Sequence, residues 1–309
     1  MVTHDCGEGV LLGLACGDAL GEPVEGWSAD RIAAEHGTLT ALVGGRVPPG
    51  GLTDDTEQAL RLARSLVECE TFDPDDASRR FVEWFEGDPV GIGGLTRRVL
   101  GRIADGDDWE RASRESWKNS REGRNAGNGS VMRCAPIAVA YAHDRDELAA
   151  ASRTSSKLTH YDPRCVYGCE LLDRTIAGYL RDDPRPLADA RSALPEAAPE
   201  ELISAIEPVP DGIDPEALSP TGYVVDTLQA ATYHALAADN AESAIVNAVN
   251  GGGDTDTIGA VAGAIAGARF GASDLPDRWV RELDRAEELR RLGRELAALD
   301  PGSSSNGGR

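Results

Sequence analysis

A chain of 309 residues carrying a formal net charge of -22 is repelled by nucleic-acid phosphates and by anionic membrane surfaces, so neither is expected as a partner. Its 41% hydrophobic content allows a substantial core, and an aromatic share of 5% beside abundant Ala and Gly predicts that this core is built from closely approaching helices. Cys6, Cys16, Cys69, Cys134, Cys165 and Cys169 show no C-x-x-C spacing, no basic signal segment leads the chain, and no apolar run reaches the ~18 residues of a membrane span, so reduced thiols in a cytoplasmic protein are expected.

From the N-terminus, Gly9, Gly13, Gly17 and Gly21 recur at every fourth position among apolar residues, which places them on one stripe of a helix. Asp18 interrupts the apolar pattern, and the turn Gly21-Glu22-Pro23-Val24-Glu25 ends that helix. Glu25 reads either as a solvated loop residue or, with a metal or substrate nearby, as a functional one. A stretch rich in glycine and proline over 37–51 leads to Thr53-Asp54-Asp55-Thr56 at the head of an amphipathic run through Val67. Asp54 and Glu57 have capping-box spacing, so part of this cluster reads as a helix cap.

Helices are predicted over Asp73–Phe85 and, after Gly91-Ile92-Gly93-Gly94, over Arg97–Ile103. Residues 123–130 form a polar, glycine-rich loop that reads as a surface turn or as a donor of backbone N–H groups to a phosphate. His160 precedes a predicted helix from Arg164 to Leu180, where it could cap, touch a ligand or lie exposed. Short surface helices and loops are expected over 181–220, followed by helical runs over 223–237 and 240–250. The run Asn250–Gly253 then feeds Asp254-Thr255-Asp256-Thr257, the start of a helix striped by Gly259, Gly263, Gly267 and Gly271. A disordered tail is predicted over 301–309. No segment alternates with period two for long, so residues 1–300 are read as one all-α domain.

The two glycine-led clusters offer Thr53, Asp54, Asp55, Asp254, Asp256 and Thr257, whereas a cap needs one such residue. Six oxygen-bearing side chains suit two octahedral cations if the helix starts converge. The matching glycine stripes predict that the two helices pack together and bring residues 18–25 near 254–257. The charge carries one more expectation. Lys118 and Lys157 are the only lysines among 31 basic residues, and this arginine bias on an acidic surface points to a halophilic protein, with a GC-rich genome as the plainer source.

Taken in order, Gly13–Gly21, Thr53–Thr56, Gly127-Asn128-Gly129-Ser130-Val131-Met132-Arg133, Thr159-His160, Gly222–Thr227 and Gly252–Thr257 resemble the motifs of the ADP-ribosylglycohydrolases, particularly the dinitrogenase reductase-activating type. The resemblance runs from about residue 9 to 271. It implies a single-domain, all-α orthogonal bundle with a binuclear Mg²⁺ or Mn²⁺ centre at the bottom of a cleft. Metal ligands then fall on Thr53, Asp54, Asp55, Asp254, Asp256 and Thr257, and the expected catalytic set is Glu25, Asp55 and Asp256. Gly127, Asn128, Gly129, Ser130 and Met132 correspond to the segment that cradles diphosphate and ribose, with His160 and Tyr223 as further substrate contacts. The implied reaction cleaves the glycosidic bond between ADP-ribose and an acceptor, on an ADP-ribosylated protein or a small-molecule conjugate, by an enzyme expected to be monomeric. Alternatives are a hydrolase of another ribosyl or nucleoside conjugate, or an inactive ADP-ribose-binding relative. The chain departs from the family at Gly91, where many members carry aspartate; Asp88 is the nearest carboxylate that could substitute.

Overall fold

The computed structural model describes residues 3–121 and 125–299. The tail expected over 301–309, and the first part of the 123–130 loop, lie outside the described residues. Helix α1, His4–Gly21, starts earlier than the glycine stripe implied because the Thr3 side chain accepts a hydrogen bond from Cys6 N and caps it. Every residue of α1 from Gly7 onward is buried, as is all of the last long glycine-striped helix from Thr255 to Ala268. A helix apolar all round belongs inside the protein rather than on its surface.

Between them α2 (Ala29–His36), α3 (Asp54–Cys69), α4 (Pro74–Phe85), α5 (Gly94–Ala104), α6 (Trp109–Lys118), α7 (Ala135–Ala140) and α8 (Arg145–Lys157) make up the first half. The second half holds α9 (Pro163–Leu180), α10 (Pro186–Ser192), α11 (Glu200–Ile206), α12 (Val224–Ala237), α13 (Ala241–Asn250), α14 (Thr255–Phe270), α15 (Asp277–Glu282) and α16 (Ala286–Ala298). The expected helix over Arg97–Ile103 begins three residues earlier, at Gly94, with Gly93 as its extended N-cap. Among the described residues the only strand-like pairings are two isolated bridges, Ser28 with Gly252 and Gly127 with Tyr223. The fold is all-α, and no helix among those residues is long and apolar enough to cross a membrane.

The glycine stripes do bring α1 and α14 together, antiparallel and backbone to backbone. A Cβ placed on Gly13 would sit 2.1 Å from the carbonyl oxygen of Gly263, and one on Gly17 would sit 2.0 Å from that of Gly259. The reciprocal positions are as tight, at 2.0 Å from Gly263 to Gly13 O and 1.9 Å from Gly267 to Gly9 O. Only glycine permits this approach, because every other residue carries the atom that would collide. On its other side α1 meets α16 through Gly7 and Gly293, where a Cβ on Gly7 would lie 2.8 Å from Gly293 O. The consequence for function is register: the C-terminal end of α1 is locked against the N-terminal end of α14.

Candidate metal centre and cleft

The convergence starts from Asp18. This aspartate is fully buried and accepts four hydrogen bonds, from Thr53 N at 3.1 Å, Thr53 Oγ1 at 2.6 Å, Thr56 N at 3.2 Å and Thr56 Oγ1 at 2.5 Å. It therefore satisfies the free N–H groups at the start of α3 from another helix, the work a cap does within its own. Thr53 is the N-cap residue of α3 but its side chain caps nothing there, and Glu57 instead pairs with Arg61 and Arg285. The capping-box reading of Asp54 and Glu57 is thus corrected: with Asp18 serving the helix start, Asp54 and Asp55 are released from capping.

The same economy holds at α14. Asp254 is its N-cap by position, yet its side chain makes no capping bond. Its Oδ2 instead accepts from Asn128 Nδ2 at 2.5 Å, and Asn128 Nδ2 also reaches Thr227 Oγ1 at 3.0 Å. Thr255 Oγ1 donates to Gly21 O at 2.8 Å and ties the start of α14 to the end of α1. Gly26 N donates to Gly253 O and Gly253 N to Trp27 O, both at 2.7 Å, so the turn that carries Glu25 is clipped to the glycine run. Gly253 has φ +77°, and a Cβ there would lie 1.8 Å from Pro220 O. No other residue fits.

One carboxylate oxygen from each of Glu25, Asp254 and Asp256 lies within 4.8 Å of the other two. Asp54, Asp55 and Thr257 line the same cleft, which has a volume of about 430 Å³. Thr53 does not line it; its hydroxyl proton faces Asp18. Among the described residues Arg46 is the cation that touches the cluster. Its Nε lies 3.0 Å from Glu22 Oε1, and its Nη2 pairs with Glu25 and lies 3.5 Å from Asp256 Oδ2. Among the described residues this single guanidinium leaves most of the negative charge uncompensated, and Asp55 Oδ1 is buried with no hydrogen-bond partner there. Hard oxygen donors in excess, one of them orphaned, fit divalent cations such as Mg²⁺ or Mn²⁺.

Without a metal, burial and then the charge of Asp18 push Asp54 up to about 7. Burial first, then Asp256, holds Asp55 well above the usual carboxylate range, while burial and Asp254 do the same to Asp256. The folded protein therefore binds more protons than the unfolded chain between the ordinary aspartate value of 3.8 and about 7. Stability falls as pH rises through that window. The metal-free protein is expected to show a lower Tm at about pH 8 than at about pH 5, and Asp54→Asn to flatten that slope. Calorimetry in EDTA checks this; an equal slope in wild type and variant would remove Asp54 from the explanation.

The other wall of the cleft comes from two loops. Gly127 bridges to Tyr223, Asn128 N donates to Gly222 O at 3.1 Å, and Val224 N donates to Ala126 O at 3.0 Å. Gly127, Asn128, Gly129, Met132, His160 and Tyr223 all line the cleft. Arg164 lies over the Tyr223 ring at 5.4 Å and donates to its hydroxyl at 2.9 Å. Ser130 is placed differently from the expectation: it is buried behind the wall, with its Oγ 3.0 Å from Ser156 Oγ. His160 is buried rather than exposed, and desolvation lowers it to about 3, with the nearby Arg133 charge adding to the effect. It stays neutral at physiological pH.

Gly91 lines the cleft with φ +92°, and a Cβ there would sit 2.2 Å from Asp54 Oδ1. The loop's backbone rests directly on a candidate ligand, which leaves no room for a side chain in this conformation. Asp88 is exposed and stands apart from the cleft lining, so it does not occupy that place. Sequence reasoning leaves Asp18 without a role, although a lone carboxylate inside an apolar helix is a signal. It also misses Glu22, Arg46 and Arg133, of which Arg46, in an irregular loop, carries none.

The family model described as ADP-ribosylglycohydrolase matches residues 3–306. The chain is 33% identical over 301 residues to ADP-ribosyl-[dinitrogen reductase] glycohydrolase of Rhodospirillum rubrum, covering 96% of each. It is 34% identical over 305 residues to ADP-ribosylarginine hydrolase Tri1 of Pseudomonas putida (strain GB-1), covering 94% of this chain and 78% of the relative. A solved structure described as an ADP-ribosylglycohydrolase-related protein complex superposes with a TM-score of 0.79 at 33% identity, over 96% of this chain and 98% of the other.

Proposed function

The chain belongs to the ADP-ribosylglycohydrolase family and is a hydrolase of that family, and we propose that it releases ADP-ribose from an acceptor, the arginine-linked conjugate first among them, with two divalent cations bound at the cleft floor. The observation that carries this reading is the meeting of two carboxylate-rich helix starts with Glu25 beneath a glycine-lined wall. The arginine linkage rests on the relatives, whose names specify ADP-ribosylated dinitrogen reductase and ADP-ribosylarginine.

In this reading Asp54, Asp55, Asp254, Asp256 and Thr257 hold the cations. Thr53, set just behind the cleft lining, would add its hydroxyl oxygen: its proton is directed to Asp18, which leaves its two lone pairs for ligation. Bound there, cations would supply the Lewis acidity for activating water and orienting the ribose. Glu25, the most exposed of the clustered carboxylates, stands where it can shuttle a proton to or from the scissile bond or orient the sugar. Backbone and side-chain groups of Gly127–Gly129, with His160 and Tyr223, position the diphosphate and distal ribose, so that little orientational freedom is left at the reacting carbon. Residues 1–300 act as one domain in the cytoplasm.

Release of ADP-ribose from arginine-, serine- and DNA-linked substrates, with and without EDTA, tests the reading. Turnover is expected on the arginine conjugate, lost in EDTA and restored by added Mn²⁺ or Mg²⁺. An undiminished rate in EDTA would overturn the metal assignment, and no release from any conjugate would overturn the substrate class.

A further inference from the structure

Behind the cleft wall lies a buried polar chain that the proposed chemistry does not use. Arg133 is fully buried; its guanidinium stacks 4.5 Å over Phe81, donates to Gln58 Oε1 and sends Nη2 to Thr159 Oγ1 at 2.7 Å. Thr159 is fully buried too, and its Oγ1 lies 2.8 Å from His160 Nδ1. A guanidinium can only donate, so Thr159 Oγ1 accepts from Arg133. The hydroxyl has one proton and, among the described residues, one other neighbour to give it to, which is Nδ1.

We propose that Arg133 and Thr159 are positioning residues that hold His160 as the tautomer protonated on Nε2, making it a hydrogen-bond donor into the cleft. The opposite tautomer would direct two donors at Thr159 Oγ1 and strand its own proton in a dry environment, an arrangement buried hydroxyls avoid. The Arg133 charge beside Nδ1 also disfavours a proton there. The ring is fixed in place from its backbone: His160 N donates to Ser156 O at 2.8 Å and His160 O accepts from Ser156 Oγ at 3.0 Å. Its Nε2 edge faces the glycine wall. A Cβ on Gly129 would lie 2.8 Å from His160 Cε1 and 3.1 Å from Nε2, and one on Gly127 would lie 3.8 Å from Nε2. Those two glycines keep the donor uncovered. The group it would meet is an acceptor oxygen of a phosphate or ribose, a step that rests on the substrate reading above, whereas the tautomer itself does not.

Nitrogen NMR of the full chain labelled in histidine decides the tautomer, with the His160 signals identified by their loss in His160→Asn. The expected spectrum has a protonated, pyrrole-type Nε2 and a bare, pyridine-type Nδ1; a protonated Nδ1 in the wild type would overturn the proposal. Thr159→Val is expected to abolish the preference and weaken ADP-ribose binding by about five- to tenfold, while Thr159→Ser keeps both near wild type. Retention of the Nε2 tautomer in Thr159→Val would remove Thr159 from the positioning role. Should that valine variant fail to fold, the wild-type spectrum still decides. Failure of wild-type protein to bind ADP-ribose would count against the substrate reading and leave the nitrogen spectrum untouched.

Discussion

Asp256→Asn is expected to lower turnover by about a thousandfold or more while raising the thermal stability of the metal-free protein. The two readouts together separate a ligand from a cap. Asp256 is almost fully buried and sits among Asp254, Glu25 and Asp18, whose charges all oppose its ionisation. Its one backbone hydrogen bond, from Thr257 N to Oδ1 at 2.9 Å, can be kept by the amide oxygen of asparagine. What the substitution removes is negative charge. If that charge exists to hold a cation, the loss falls on catalysis, and the metal-free fold is relieved of a repulsion at neutral pH. If the carboxylate were a structural cap, the loss would fall on stability instead, by about 1 kcal/mol, and turnover would change little. Steady-state rates across a Mn²⁺ titration, alongside calorimetry in EDTA, measure both. A near-normal rate at saturating metal would sink the assignment of Asp256 as ligand.

The second large effect concerns the scaffold. Alanine in place of glycine inside a helix ordinarily stabilises, by about 1 kcal/mol, because glycine has more backbone freedom to lose. At Gly263 the sign is expected to reverse, with a loss of about 4 kcal/mol or more, which approaches the whole stability of a small domain. The new Cβ would stand 2.0 Å from Gly13 O and 2.6 Å from Gly13 C, both backbone atoms that no rotamer change can move. Relief requires α1 and α14 to part by roughly 1 Å along their contact, and a close-packed core transmits such a shift rather than absorbing it. The site would suffer with the fold, since Asp18 and Glu25 hang from the far end of α1 and Asp254 and Asp256 from the near end of α14. Gly101 in α5 is the matched control: a Cβ there would meet only Phe85 Cζ at 3.8 Å, so Gly101→Ala should show the ordinary stabilisation. Urea midpoints of the two variants make the comparison, and a Gly263→Ala protein as stable as wild type would refute the interlock.

Much of this protein is legible in its residue order. The four-residue glycine repeats mark the two central helices and their pairing, because a helix brings every fourth residue to one face and only a smooth face permits backbone contact. The clusters at Thr53–Asp55 and Asp254–Thr257 are readable as paired helix starts, because glycines and short oxygen-bearing side chains mark such entries locally. The helical pattern and the missing period-two alternation suffice for the all-α class.

The tertiary structure decided which carboxylates are occupied and which are spare. Asp18 takes over the capping of α3 from 35 residues away, Asn128 holds Asp254 across 126, and Arg46 reaches Asp256 across 210. No local rule ranks such partners, since at those separations proximity depends on how the whole chain is wound. The same holds for Ser130, which sits in the motif yet faces inward, and for His160, whose neighbour Thr159 is engaged by Arg133 from 26 positions away. Sequence alone determined which chemical groups the site could contain. Their protonation, their freedom to ligate and the direction each one faces came from contacts that exist only in the folded chain.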